Sequence, residues 1–451
     1  MTAPQIVWLR RDLRLVDQPA LFAAAESGPV IPVYVLDDER PGEHRMGGAQ
    51  RWWLHHSLAS LDRSLRERGS RLVLRRGDAV QELCRLAEET GAKGIHALHH
   101  YEPWWRKAES ELAGRFELHL HDGNYLVPPG TVRTGAGELY RIYTPFAKAL
   151  RRELPSLEPL PEPQLTAPAK WPRSDRLEDW RLLPTTPDWA GGFVEAWTPG
   201  ENAAKAQLEQ FADHADRYAD ERNLPSIEGS SRLSPRLHWG ELSVGQVWHA
   251  LADRSGAGVD TFRGELIWRD FTQNVILAFP DYQTRNYGEA FDRFPWRYDK
   301  GEIRAWRQGR TGYPIVDAGM RQLWQSGWLH NRVRMIVASF LIKHLLVDWR
   351  VGERWFWDTL VDADCGNNAV NWQWVSGTGV DTQLFTRIMA PLTQSVKFDA
   401  GDYIRRWVPE LADVPDRLIH DPPAGTYIPK IIGHREGRER ALAAYRQLRT
   451  G

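Results

Sequence analysis

The chain has 451 residues, with 58 Lys+Arg against 59 Asp+Glu and a formal net charge of −1. That length exceeds one ordinary core, so two or more domains are expected, and the balanced charge excludes a globally cationic nucleic-acid binder: any such contact must come from a local basic patch. Cys84 and Cys365 have no metal-like spacing, no apolar run reaches membrane-spanning length, and Met1-Thr-Ala-Pro4 leads into a strand without a signal peptide, so a soluble cytoplasmic protein is expected.

Residues 1–125 alternate strand and helix. Ile6–Leu9 and Val30–Leu36 read as strands, Gln50–Arg68 as a helix that Gly69 can cap, and Arg71–Leu74 as a strand. Ala79–Thr90 reads as a helix, followed by strands at Gly94–Leu98 and Phe116–Leu120. Such alternation predicts a doubly wound parallel sheet. No Gly-x-Gly-x-x-Gly occurs, so a dinucleotide site in this half has no support. Residues 126–205 change character. Pro155, Pro159, Pro161, Pro163, Pro168 and Pro172 break regular elements, which predicts an extended interdomain connector over the surface. From 206 to 451 the pattern is helical, clearest at Gly264–Ala278, Trp328–Val347 and His434–Arg449.

Four clusters carry chemistry. Gly229-Ser-Ser-Arg-Leu-Ser-Pro235 places Ser230, Ser231 and Ser234 before a helical pattern, where hydroxyls and free N–H groups can cradle an anion or simply cap a helix. In Gly264-Glu-Leu-Ile-Trp-Arg-Asp270, Glu265 and Trp268 share a helical face; the plainer reading is a surface ion pair of Glu265 with Arg269. Asn331, Arg334 and Met335 share another face. Asp362, Asp364, Asn368, Trp372 and Trp374 then follow in one dense stretch of acids, amides and indoles. Acids and amides can fix a polar ring system. Most of the 22 tryptophans are expected to be core filler. The histidine pairs His55-His56 and His99-His100 are expected to be structural, not metal ligands.

On these motifs the chain resembles the photolyase/cryptochrome family over essentially its full length, most nearly the bacterial enzymes for cyclobutane pyrimidine dimers. The resemblance implies an α/β antenna-type domain, the connector, and a larger all-helical FAD-binding domain. It implies that Tyr218, Ser230, Ser231, Arg232, Ser234, Arg269, Arg334, Asp362, Asp364 and Asn368 contact FAD, with Asn368 facing the flavin N5. It places Glu265, Trp268, Asn331, Met335 and Trp374 at the substrate, the two indoles sandwiching a dimer flipped from DNA. Trp372, Trp349 and Trp296 match the electron chain in order from flavin to surface, and Arg222, Arg332 and Arg387 match DNA-backbone positions. His44 and Glu102 match the antenna side. Tyr282 and Gln283 stand where folate-binding members often carry Cys and Lys, which counts against folate; 8-hydroxy-deazaflavin, folate, FMN and an empty site are the alternatives for the second chromophore. The implied activity is light-driven dimer repair in DNA by a cytoplasmic monomer without membrane contact. A cryptochrome-type signalling protein is the first rival; it predicts loss of Trp268, Asn331 or Trp374, and all three are present. Repair of (6-4) lesions is the second; it predicts His in place of Asn331.

Overall fold

The computed structural model describes residues 3–382 and 384–450. Five short strands form one parallel sheet: β1 (Gln5–Leu9), β2 (Val30–Leu36), β3 (Val73–Arg76), β4 (Gly94–Leu98) and β5 (Glu117–His121), in the order β3-β2-β1-β4-β5. Helices α1 (Pro19–Ser27), α2 (Gly48–Glu67), α3 (Ala79–Thr90) and α4 (Pro103–Ala113) supply the crossovers. The central strands are apolar on both faces. Val7 and Leu9 pack with α1 and α2, whereas Ile6 and Trp8 pack with α3 and α4. A parallel sheet covered on both sides requires that pattern. The expected doubly wound sheet is therefore present, with two of its strands set later than expected: β3 by two residues and β5 by one.

The proline-rich stretch from 154 to 176 forms no helix, but the connector is not wholly extended. Tyr143–Glu153 is a helix, α5, which buries Phe146, Ala147, Ala149 and Leu150. The remainder is helical. The Ala257–Ala278 helix lies against the Cys365–Ser376 helix and against α5. The expected helix from Trp328 to Val347 is shorter. It starts at Asn331, capped by His330, and at Phe340–His344 relaxes into a π turn. Among the described residues no helix is long and apolar enough to cross a membrane.

Candidate functional site

A cavity of about 520 Å³ opens among the helices. That is within the usual range for small-molecule sites. The serine loop forms one wall, lined by Ser230, Ser231, Arg232 and Ser234. A methyl group on Gly229 would lie 2.5 Å from Glu221 Cβ, so the loop can approach that chain only as glycine. Arg232 holds a left-handed backbone (φ 51°), and its guanidinium lies over Trp197 at 4.4 Å and Trp328 at 5.3 Å. Ser234 Oγ donates to Asp362 Oδ2 at 2.6 Å and accepts from Trp328 Nε1 at 3.2 Å.

The floor is the dense acid-amide segment. Arg334 donates to Asp362 Oδ2 at 2.8 Å, and the Asp362 side chain is only 2% exposed. Asp364 caps the Cys365–Ser376 helix by accepting the Asn367 N–H at 2.6 Å. One turn on, Asn368 Nδ2 donates to Glu353 Oε1 at 2.8 Å and to the Glu353 carbonyl at 3.1 Å. Burial pushes the Glu353 carboxyl up to about 8, against which the Asn368 hydrogen bond acts only partly. Glu353 thus holds its proton to higher pH than an exposed carboxyl does, directly behind the cavity. Sequence reasoning missed it, although an acid on the same buried helical face as Trp349, Gly352, Phe356 and Trp357 was a readable signal.

At the mouth, Glu265, Trp268, Asn331, Met335 and Trp374 line the same cavity. Trp268 rests against Tyr143, ring centroids 4.6 Å apart. Glu265 pairs with Arg222 at 2.5 Å, across 43 residues of sequence. The plainer alternative, a surface ion pair of Glu265 with Arg269, does not form. Arg269 also lines the cavity, but turns away from Glu265: it donates to the carbonyls of Asn124 and Leu237 and lies over Tyr125 at 4.6 Å. Tyr218 is buried, lines the cavity and lies under the Arg222 guanidinium at 5.2 Å. Arg332 donates to Asn223 Oδ1 at 2.6 Å and lies over Phe398 at 4.4 Å. Arg387 is exposed.

The three expected electron-chain tryptophans occupy different depths. Trp372 is buried and lines the cavity; its ring neighbours are Phe356 at 4.9 Å and Trp306 at 6.4 Å, neither singled out from sequence. A methyl group on Gly352 would come within 2.1 Å of Trp372 Cη2. The missing side chain therefore lets Trp372 lie directly on the Trp349–Thr359 helix, whose first residue is the fully buried Trp349. Trp349 Nε1 donates to Asn286 Oδ1 at 2.8 Å. Trp296 is half-buried, and the next residue, Arg297, forms a β-bridge with Val347 just before that helix.

On the antenna side, His44 stacks near Trp104 at 6.3 Å and meets the edge of Trp357 at 5.5 Å. It lines a second cavity with Arg10, Arg11, Tyr34, Trp105 and Trp239, of only about 40 Å³. That is room for a few waters. Glu102 is buried and pairs with Arg11 at 3.1 Å without lining that cavity. Tyr282 and Gln283 are buried in the helical domain, where the Tyr282 hydroxyl accepts the Val380 N–H at 2.8 Å.

Comparison with known proteins agrees with this architecture. Residues 5–164 match the family described as DNA photolyase, and residues 262–447 match the FAD binding domain of DNA photolyase. A deoxyribodipyrimidine photo-lyase of Agrobacterium fabrum is 48% identical over 98% of both chains. Cryptochrome-1 of Arabidopsis thaliana is 37% identical over 92% of this chain but 64% of its own length. Among solved structures, a bacterial class III photolyase from Agrobacterium tumefaciens superposes with a TM-score of 0.95 at 46% identity, covering 100% of this chain and 98% of its own. An archaeal photolyase from Sulfolobus tokodaii, solved with two FAD molecules, gives 0.82 at 29% identity, covering 98% of this chain and 99% of its own. The chain belongs to the photolyase/cryptochrome family.

Proposed function

We propose that this protein is a light-driven deoxyribodipyrimidine photo-lyase that repairs cyclobutane pyrimidine dimers in DNA. The observation that carries the reading is the convergence of Trp268, Trp374, Glu265 and Asn331 at the mouth of a cavity floored by Arg334, Asp362, Asp364 and Asn368. The floor and serine loop fit FAD. The cavity is large enough for a polar ring system, its acid–arginine pair offers hydrogen bonds to such a ring, and Ser230, Ser231 and Arg232 stand where a diphosphate could be held. When bound and fully reduced, FAD supplies the light-excited electron that opens the dimer, because the cofactor and not the protein carries that chemistry. The chain's own work is binding and placement. Trp268 and Trp374 offer flat apolar faces to a flipped dimer and keep water from it. Glu265 and Asn331 hydrogen-bond its base edges, and Met335 fills space against it. Arg222, Arg332 and Arg387 grip phosphates and set register without reading sequence. Trp372, Trp349 and Trp296 carry electrons inward when oxidised FAD must be reduced.

A second chromophore in the N-terminal half, held on the side of His44 and Glu102, belongs to the same reading, with 8-hydroxy-deazaflavin, folate and FMN as candidates. The 40 Å³ space beside His44 must widen to admit any of them. Dimer-containing DNA is the partner, and a cytoplasmic monomer suffices for the work. The signalling alternative is disfavoured because Trp268, Asn331 and Trp374 are retained and brought to one mouth. Asn331 disfavours (6-4) repair. The test is illumination of flavin-loaded, reduced protein with thymine-dimer DNA under blue light. Restored thymines are expected; intact dimers with FAD bound and reduced would sink the assignment.

A further inference from the structure

The mouth of the cavity has two walls from separate parts of the chain. Trp268 forms one, supported by Tyr143, whose hydroxyl donates to the Gly264 carbonyl at 2.8 Å, one residue before Glu265. Trp374 forms the other, near the end of the Cys365–Ser376 helix. The loop after that helix is tied back on both sides. Thr382 Oγ1 donates to the Trp374 carbonyl at 2.8 Å, and the buried Lys343 Nζ donates to the carbonyls of Ser376 at 2.7 Å and Phe385 at 2.9 Å. Between these ties stands Asp381. Its Oδ2 accepts the N–H of Tyr143 at 2.9 Å, a contact spanning 238 residues of sequence.

That N–H is the first of helix α5, where backbone donors have no partner inside the helix, and Ile142 before it gives no side-chain cap. A carboxylate there also meets the positive end of the helix dipole. Asp381 is exposed and sits at φ 46°, in the left-handed region that Asn and Asp tolerate better than other residues with a side chain. Core packing does not account for an exposed residue held in that conformation, whereas its bond to the opposite wall does.

We propose that Asp381 is a positioning residue: it clasps the Trp374 loop to the Tyr143–Trp268 wall and so fixes the gap into which the damaged bases enter. The inference rests on the reading that a dimer lies between the two indoles. Asp381 touches neither dimer nor flavin, and it acts through Tyr143 and the loop. The helices that carry the two indoles stay packed on each other, but without the clasp the loop after Trp374 loses its tie to the Tyr143–Trp268 wall, so the preference for a dimer falls while phosphate contacts continue to hold any duplex.

The test uses full-length, flavin-loaded protein and the variants Asp381→Asn, Asp381→Ala and Asp381→Gly. Affinity is measured for a dimer-containing duplex and for the same duplex undamaged, together with flavin content. The dimer preference of Asp381→Ala should fall about 5- to 30-fold, as for loss of one or two well-placed bonds. Affinity for undamaged duplex and flavin content should stay level. Asp381→Gly should fall equally, although it relaxes the backbone, because it too lacks the acceptor. Asp381→Asn keeps both the acceptor and the tolerated backbone, and should remain close to the original. Unchanged preference in Asp381→Ala, or an equal loss in Asp381→Asn, overturns the clasp. So does simultaneous loss of flavin and of all DNA binding, which would mark general misfolding. Absence of any dimer preference in the unaltered protein would instead remove the underlying reading, and the clasp with it.

Discussion

Replacing each of Arg222, Arg332 and Arg387 singly by Ala tests whether a locally basic rim can serve a protein of net charge −1. Each phosphate contact contributes a salt slope of about 0.9, so between 50 and 200 mM salt it accounts for roughly a 3.5-fold loss of affinity, and three contacts for roughly 40-fold. The structure ranks the three at low salt. Arg387 is exposed, and among the described residues no carboxylate pairs with it, so its full charge is available to DNA. Arg222 already faces Glu265 at 2.5 Å, with side-chain exposures of 18% and 39%. Such a partly exposed pair is worth about 0.2–1 kcal/mol, and DNA must disrupt it first. Arg332 is held by Asn223 and Phe398 and starts preorganised. Arg387→Ala should therefore cost the most affinity and Arg222→Ala the least, while all three shallow the slope equally. Fluorescence anisotropy of a labelled duplex titrated across that salt range reads both quantities. Slopes unchanged in all three variants would remove these arginines from the interface and leave the rim reading without support.

Glu265→Ala and Asn331→Ala should weaken dimer repair while leaving flavin content unchanged; loss of bound flavin in both variants would make these residues structural. Trp372→Phe should cost about 1–2 kcal/mol of stability and block light-driven reduction of oxidised FAD by an external reductant. The same variant reduced chemically beforehand should still repair; normal photoreduction would show that electrons enter elsewhere. Glu353 gives a pH signature. Its folded value, about 8, lies above the unfolded one near 4.5, so the stability it contributes is complete below the unfolded value and is lost as pH rises through 8. Glu353→Gln keeps an acceptor for Asn368 and should flatten denaturant-unfolding free energies across pH 4.5–8, with a ceiling of roughly 5 kcal/mol at the alkaline end. Parallel profiles for the two proteins would show that this carboxyl does not titrate differently on folding.

The amino-acid sequence by itself determined the doubly wound sheet and the helical second half, because short continuous apolar runs and period-3.6 apolar patterns are local properties of the chain. It also determined the chemistry of the cavity. Asp362, Asp364 and Asn368 lie within seven residues of each other, and one cap and one helical turn suffice to set two of them at the floor. Only the tertiary structure decided which partners these side chains take. Glu265 chose Arg222 over the helical neighbour Arg269 because the short Tyr218–Glu221 helix, which ends at Arg222, packs against the Ala257–Ala278 helix. The Glu353 carboxyl is pushed up because it is packed behind Asn368, where desolvation outweighs the hydrogen bond. Asp381 reached Tyr143, 238 residues earlier, because a loop and a helix end meet at one rim. Local spacing cannot specify such pairings, since their energies depend on burial and on atoms that the fold alone brings within hydrogen-bonding distance.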